Sequence, residues 1–268
     1  MDNDTVINER VDRVCKLTLN RPDRLNAFNE AQHLALRSGL EAAATDDDIG
    51  AILMTGAGHG FCAGQDLGDR DPDKMGEAPD LGHTIDTLYN PLIRLIRSID
   101  KPVICAVNGV AAGAGANIAF ACDIVFAAKS AKFIQAFSKL GLVPDCGGTF
   151  TVTRLVGEAR AKALMMTAAP LMAEEAASWG LIWKAVEDEA LADEAMTLAS
   201  QLAMGATQGL GLTKQAIHAA ASNDLDMQLD LERDLQRGAG RGPEYAEGVR
   251  AFLGKRPADF VAARKKEA

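Results

Sequence analysis

Asp145 lies in Gly141-Leu-Val-Pro-Asp-Cys-Gly-Gly148, a lone carboxylate among apolar residues and a turn, just ahead of two glycines where a helix can begin. Such surroundings disfavour the charged form, raise a carboxyl pKa and make the group a usable proton carrier near neutral pH. The competing reading is an N-cap, since Asp is a favoured cap and a helix starts near Gly147. Two Gly/Ala-rich turns lie upstream, Phe61-Cys-Ala-Gly-Gln-Asp66 and Asn108-Gly-Val-Ala-Ala-Gly-Ala-Gly-Ala-Asn117. In the first, Gly64 would let the backbone approach a ligand and the Gln65 N–H meet an oxygen, although a plain strand-to-loop turn accounts for the same residues. In the second, Gly113-Ala-Gly115 opens a helix, whose first N–H groups are unpaired and carry partial positive charge. The Ala114 N–H is thus a natural donor to an oxyanion, while small residues here would equally serve close helix–sheet packing. One carboxylate and two free N–H groups are the equipment for moving a proton beside a carbonyl. The second turn is no dinucleotide fingerprint: Gly113-x-Gly115 is followed by Ile118 rather than Gly, and no acidic ribose-binding residue stands at the expected distance.

The four histidines, His33, His59, His83 and His218, fall in polar or helical surface contexts with no nucleophile beside them, and read as solvated. Cys62 and Cys146 border the candidate site but read as small buried thiols. Lys255-Arg256 and Arg264-Lys265-Lys266 make a basic tail, either solvated or helping to hold a phosphate-bearing ligand.

These residues need elements to hold them. Val14–Leu19 alternates as a half-buried strand, and Asn29 to Ala44 has helical spacing with Asn29 as its cap. The runs 50–55, 102–107 and 122–127 read as buried strands, the last two separated by a Gly/Ala-rich helix. Residues 66–82 form a long polar loop and 84–98 a helix. Beyond about residue 188 no strand signal remains, and helices are expected over 190–204, 206–221, 225–237 and 243–253, the last with Pro243 in its first turn. The chain therefore reads as an α/β protein, with a core over 1–200 and a helical lobe over 201–268.

Composition narrows the function. The 268 residues are 48% hydrophobic and 24% charged, ordinary for a globular protein. A net charge of −9 argues against nucleic acid or a membrane surface as partner. No apolar run is long enough to span a bilayer and no secretory leader is visible, so a cytoplasmic location is expected. Five scattered cysteines without a CxxC pair favour reduced thiols over a disulfide frame or zinc site, and no metal is expected.

Taken together, Leu19-Asn-Arg-Pro-Asp-Arg-Leu-Asn-Ala27, Phe61-Cys-Ala-Gly-Gln-Asp-Leu67, Lys101-Pro-Val-Ile-Cys-Ala-Val-Asn-Gly-Val-Ala-Ala-Gly-Ala-Gly115, Cys122-Asp123 and Gly141-Leu-Val-Pro-Asp-Cys-Gly-Gly148 resemble the crotonase (enoyl-CoA hydratase/isomerase) superfamily, in order and at family spacing over nearly the whole chain. The resemblance implies a spiral of β-β-α units with a C-terminal helical trimerisation lobe, assembling as a homotrimer or a dimer of trimers. It also implies a coenzyme A thioester as substrate, with no further cofactor, its carbonyl held by the N–H groups of Gln65 and Ala114. Where the family's hydratases carry two glutamates, this chain has Asn117 and Phe137, which leaves Asp145 as the single acid/base expected of an isomerase. The superfamily's aryl-CoA dehalogenases use a nucleophilic aspartate at this place, but carry Trp and His where Phe137 and Ser138 stand here. By the same resemblance Arg24, Ala27, Ala63, Gly64, Asp66, Leu67, Tyr89, Gly113 and Phe137 line the thioester site. Further stretches, Ala136-Phe-Ser-Lys-Leu-Gly141, Trp179-Gly-Leu-Ile-Trp183 and Leu229-Asp-Leu-Glu-Arg-Asp234, look like those of the superfamily's ring-epoxide isomerases, which act on an epoxyphenylacetyl thioester. The alternatives are a linear Δ3,Δ2-enoyl-CoA isomerase and a non-catalytic CoA- or RNA-binding homologue.

Overall fold

The computed structural model describes residues 4–70 and 79–265. β1 (Val6–Val11) and β2 (Val14–Leu19) form an antiparallel hairpin, and α1 (Glu30–Thr45) follows, capped as expected by Asn29, whose side chain accepts the Gln32 N–H. Three β-β-α units come next. The first is β3 (Ala51–Gly56), β4 (Gly60–Cys62) and a helical run of α2 (Leu81–Thr84), a π-turn (Ile85–Tyr89) and α3 (Asn90–Ser98). The second is β5 (Val103–Val107), β6 (Val110–Ala112) and α4 (Ala114–Ala121). The third is β7 (Ile124–Ala128), β8 (Lys132–Ile134), a 3-10 turn (Ala136–Leu140) and α5 (Gly148–Thr167). β9 (Leu171–Met172), α6 (Ala173–Ser178), β10 (Lys184–Val186) and α7 (Leu191–Ala203) complete the core.

The first strand of each unit joins one sheet, in the order β1-β2-β3-β5-β7-β10, and the second joins another, β4-β6-β8-β9. Within the units the neighbours β3–β5–β7 and β4–β6–β8 all pair in parallel. This explains why Val103–Val107 is apolar throughout: a parallel strand is covered on both faces, and every residue of β5 is buried. Phe28 and Phe61 are fully enclosed in the same core, each contributing about 1.5–3 kcal/mol by leaving water.

The 200/201 boundary expected from sequence falls within the last turn of α7, which packs against β3, β5 and β7 and so belongs with the core; the next helix begins at Thr207. The helices beyond are α8 (Thr207–Ala219), α9 (Leu225–Ala239), α10 (Pro243–Leu253) and α11 (Phe260–Lys265). Lys214 anchors α8 to the core, donating to Ile96 O at 2.9 Å and to Asp123 at 3.0 Å. Three residues of the basic tail pair within the chain: Arg256 with Glu247 at 2.6 Å, Arg264 with buried Glu244, and Lys265, which lies 3.5 Å from Asp48. Arg256 and the Asp259 N–H hold Glu247 well below the usual carboxylate range, at about 2. Lys255 is exposed, and Lys266 lies outside the described residues.

Candidate active site

The segments that leave β4, β6 and the third unit's 3-10 turn carry Gln65, Ala114 and Asp145, so each unit supplies one candidate group. The first two are brought into contact by glycine. Gly64 has φ +93°, and a Cβ there would stand 2.9 Å from Ala112 O and 3.5 Å from Ala114 N. On the other side of the contact, a Cβ on Gly115 would meet Cys62 O at 2.4 Å. Only residues without a side chain allow these two turns to touch.

Gln65 pairs with Phe28 as a parallel bridge in which Phe28 N–H donates to Gly64 O (2.7 Å) and Asp66 N–H to Phe28 O (2.9 Å). The intervening Gln65 N–H points away from that bridge and has no acceptor among the described residues. Ala114 is the first residue of α4, after Gly113 at φ +52°, and its N–H likewise has no acceptor among the described residues. Both sequence-predicted donors are therefore free and adjacent.

Asp145 does not cap α5. Gly147 occupies the cap position at φ +71° with no side-chain bond, and it is the backbone O of Asp145 that receives the Gly148 N–H. The carboxylate is half-buried, and its Oδ1 is enclosed with no hydrogen-bond partner among the described residues. Burial raises its pKa; the Cys146 thiol, its own N–H and the Arg70 charge pull the other way. The turn is fixed from α4: Asn117 Nδ2 donates to Asp145 O at 2.9 Å, and buried Gln135 donates to Asn117 Oδ1 at 2.8 Å. A Cβ on Gly148 would stand 2.3 Å from that Asn117 nitrogen. Asn117 lies one helical turn beyond Ala114, so α4 links the donor to the acid. Phe137 is buried, with its ring 3.7 Å from the place of a Cβ on Gly113.

The remaining expected residues spread around this centre. Ala27 is buried and its carbonyl accepts from Arg21, which also pairs with Asp66 at 2.8 Å. The Gly68 N–H and then Arg21 hold the Asp66 carboxyl below its ordinary value. Asn26, fully buried at φ +56°, ties this loop down by donating to Ala57 O and Gly60 O. Ala63 is half-buried; Arg24 and Leu67 are exposed. Tyr89 is only 2% exposed, and its O–H donates to Gln65 Oε1 at 3.0 Å.

Two features were not foreseen. The Gln65 side chain, given no part in the sequence reading of its backbone N–H, makes three hydrogen bonds, to Tyr89, Phe28 O and Asp66 O. His33 is not solvated: it is 3% exposed, stacked 4.4 Å from Phe28 and edge-on to Tyr89 at 4.3 Å. It lies on the inward stripe of α1 with Leu36 and Leu40, a spacing visible in the sequence. Burial lowers its pKa to about 4. His218 is half-buried and lowered likewise, while His59 and His83 are exposed as expected. All five cysteines are free and buried, and burial pushes the Cys62 thiol up to about 12.

The family model for enoyl-CoA hydratase/isomerase matches residues 9–263. The chain belongs to the enoyl-CoA hydratase/isomerase family. It is 58% identical over 248 residues to the 1,2-epoxyphenylacetyl-CoA isomerase of Escherichia coli K12, covering 92% of this chain and 95% of that protein. It is 44% identical to a probable enoyl-CoA hydratase of Rhodobacter capsulatus, over 91% of this chain and 93% of the relative. Among solved structures, the enoyl-CoA hydratase of Bacillus anthracis superposes with a TM-score of 0.89 at 29% identity, covering 96% and 99% of the two chains. The β-β-α spiral read from the family resemblance is thus the fold of this member, and relatives named for isomerisation and for hydration both share its frame.

Proposed function

We propose that this member of the family is an acyl-CoA isomerase, with 1,2-epoxyphenylacetyl-CoA, or a ring-epoxide thioester like it, as substrate. The observation that carries this reading is a half-buried carboxylate without an ion-pair partner among the described residues, Asp145, whose turn is tied through Asn117 to the helix that begins at Ala114, together with the Gln65 and Ala114 N–H groups, which have no acceptor among the described residues; Asp66, the other half-buried carboxylate here, is engaged by Arg21. Water addition in the family rests on two carboxylates. Here the equivalent positions are Asn117, whose amide is occupied by Asp145 O and Gln135, and Phe137, an apolar ring. The identity to the Escherichia coli isomerase supports the ring-epoxide thioester.

In this reading the thioester oxygen accepts from Gln65 and Ala114, which polarises the carbonyl and acidifies the carbon beside it. The Asp145 carboxylate takes that proton, and the electron pair delocalises onto the oxygen held by the two donors. The same carboxyl returns the proton to a carbon further along the conjugated system. Nothing is oxidised or reduced, and no group leaves. On a ring epoxide this proton traffic accompanies widening of the ring to the oxepin; on a linear 3-enoyl thioester it shifts the double bond to position 2. The coenzyme is carried by the substrate, and the chemistry calls on no metal. The exposed apolar face of the C-terminal helices supports assembly into a trimer or a dimer of trimers.

Replacing Asp145 by Asn keeps the shape and removes the base. Isomerisation of 1,2-epoxyphenylacetyl-CoA by Asp145→Asn is expected to fall at least about a hundredfold, with thioester binding little changed. Wild type is expected to hydrate crotonyl-CoA poorly. Efficient hydration by wild type, or near-normal isomerisation by the variant, would overturn the reading.

A further inference from the structure

The Gln65 side chain and buried Tyr89 form a part-buried clasp at the proposed carbonyl-binding donors. Tyr89 O–H donates to Gln65 Oε1 at 3.0 Å, and Gln65 Nε2 donates to Phe28 O at 3.0 Å and Asp66 O at 3.2 Å. Phe28 is the residue to which 64–66 are bridged through the backbone, so residue 65 is held both by its main chain and by its own amide. Tyr89 is in turn fixed by packing: its ring lies edge-on to His33 at 4.3 Å and to Phe28 at 6.2 Å.

The position of Tyr89 in its element gives the clasp a second end. Tyr89 closes the π-turn, and Ile93 follows one turn later in α3. The Cγ2 of Ile93 lies 4.0 Å from the place of a Cβ on Gly147, within the turn that carries Asp145 and Cys146. Residues four apart on a helix share a face. This helix therefore touches the donor turn with Tyr89 and the acid's turn with Ile93.

We infer that Tyr89 is a positioning residue: its hydroxyl locks the Gln65 amide and thereby fixes the direction of the Gln65 N–H towards the thioester oxygen, at a spacing from Asp145 set by one turn of α3. This rests on the thioester reading above and departs from the expectation that Tyr89 contacts substrate. An N–H held a few tenths of an ångström off line still binds the ground state but loses the stronger bond to a developing oxyanion. The loss therefore falls on kcat and not on KM.

The test uses Tyr89→Phe, which keeps the ring packing, and Gln65→Met, which keeps the length of the side chain. Each is assayed for isomerisation, and each is examined by infrared spectroscopy with bound phenylacetyl-CoA carrying 13C at the thioester carbonyl. In wild type the carbonyl band shifts to lower frequency than in free ligand. In either variant kcat falls about tenfold, a part of what removal of a whole donor costs, with KM nearly unchanged and the band moved back towards its free position. Because both substitutions remove the same hydrogen bond, the double variant is no worse than the poorer single one. Wild-type kcat and band in folded Tyr89→Phe, or losses that add in the double variant, overturn the inference and leave the thioester reading standing. An unshifted band in wild type overturns both. If Tyr89→Phe does not fold, Gln65→Met reads the whole Gln65 amide, its bonds to Phe28 O and Asp66 O included, and an unchanged kcat and band in that variant overturn the inference.

Discussion

The surroundings of Asp145 suit the proton-carrying role proposed for it, because they withhold solvation while leaving one oxygen without a partner among the described residues. A raised folded pKa means the native state holds this proton at pH values where the unfolded chain has released it, so the ionised carboxylate costs stability as pH rises through that interval. Asp145→Asn is therefore expected to raise Tm at pH 7 while abolishing most turnover, a separation that thermal melts and kinetics on one sample can show. In wild type the acid limb of kcat/KM should lie above the ordinary aspartate range, since the base form appears only after Asp145 ionises. His33 has the opposite sign. Its folded pKa of about 4 lies below its ordinary value of 6.5, so the unfolded state binds the proton first. Stability is full above pH 6.5 and is lost as pH falls, by roughly 3 kcal/mol once the pH is below about 4. Melting curves from pH 7 to 4 should show this slope, and His33→Leu should flatten it. The polar neighbours of His33 in the chain concealed its burial, because a single histidine on an apolar stripe leaves no mark in composition; its spacing with Leu36 and Leu40 was the available signal.

Among the elements, most of those long enough to show a period were legible: β2, the N-cap of α1, the buried runs of β3, β5 and β7, and the helices from α7 to α10; β1, six residues long, was missed because all but its first residue is exposed and no apolar face marks it. The short strands β4, β6, β8, β9 and β10, of two or three residues each, were not legible either, because periodicity needs length and their pairing is dictated by distant partners. The same limit hid the role of Asn117. The resemblance marked it as a place where an acid is missing; only the folded chain shows its amide bracing the Asp145 turn. Asn117→Ala should lower kcat about tenfold or more with a smaller effect on KM, since misplacing a proton carrier costs turnover before binding. Gly148→Ala should be worse than a helix position usually allows: its new methyl group would stand 2.3 Å from the Asn117 nitrogen and force the brace apart. Circular dichroism melts beside steady-state rates distinguish the two, Asn117→Ala remaining well folded and Gly148→Ala losing both.

The whole molecule presents a core saturated with buried aliphatic residues and a lobe that is not self-sufficient. On α10, Phe252 is 82% and Leu253 75% exposed, and with Tyr245 and Phe260 they border an apolar groove of about 440 Å³. Such a surface favours association with copies of the same chain. Sedimentation at micromolar concentration should show a trimer or hexamer, and Phe252→Asp should shift it towards monomer; a monomeric wild type would refute the assembly proposed here. The three candidate groups have a different relation to the whole, since each leaves a different β-β-α unit while the sheet alone sets the distance between units. Parallel neighbours keep a spacing of about 4.8 Å whatever their loops contain. In the proposed mechanism, binding and chemistry therefore draw on different kinds of group: the first two units offer main-chain N–H groups that almost any side chain preserves, whereas the third offers the proposed proton carrier as an exchangeable side chain. On that proposal a side-chain substitution could alter the reaction while the main-chain grip on the thioester stays in place, which fits one backbone being shared by relatives named as a hydratase and as an isomerase.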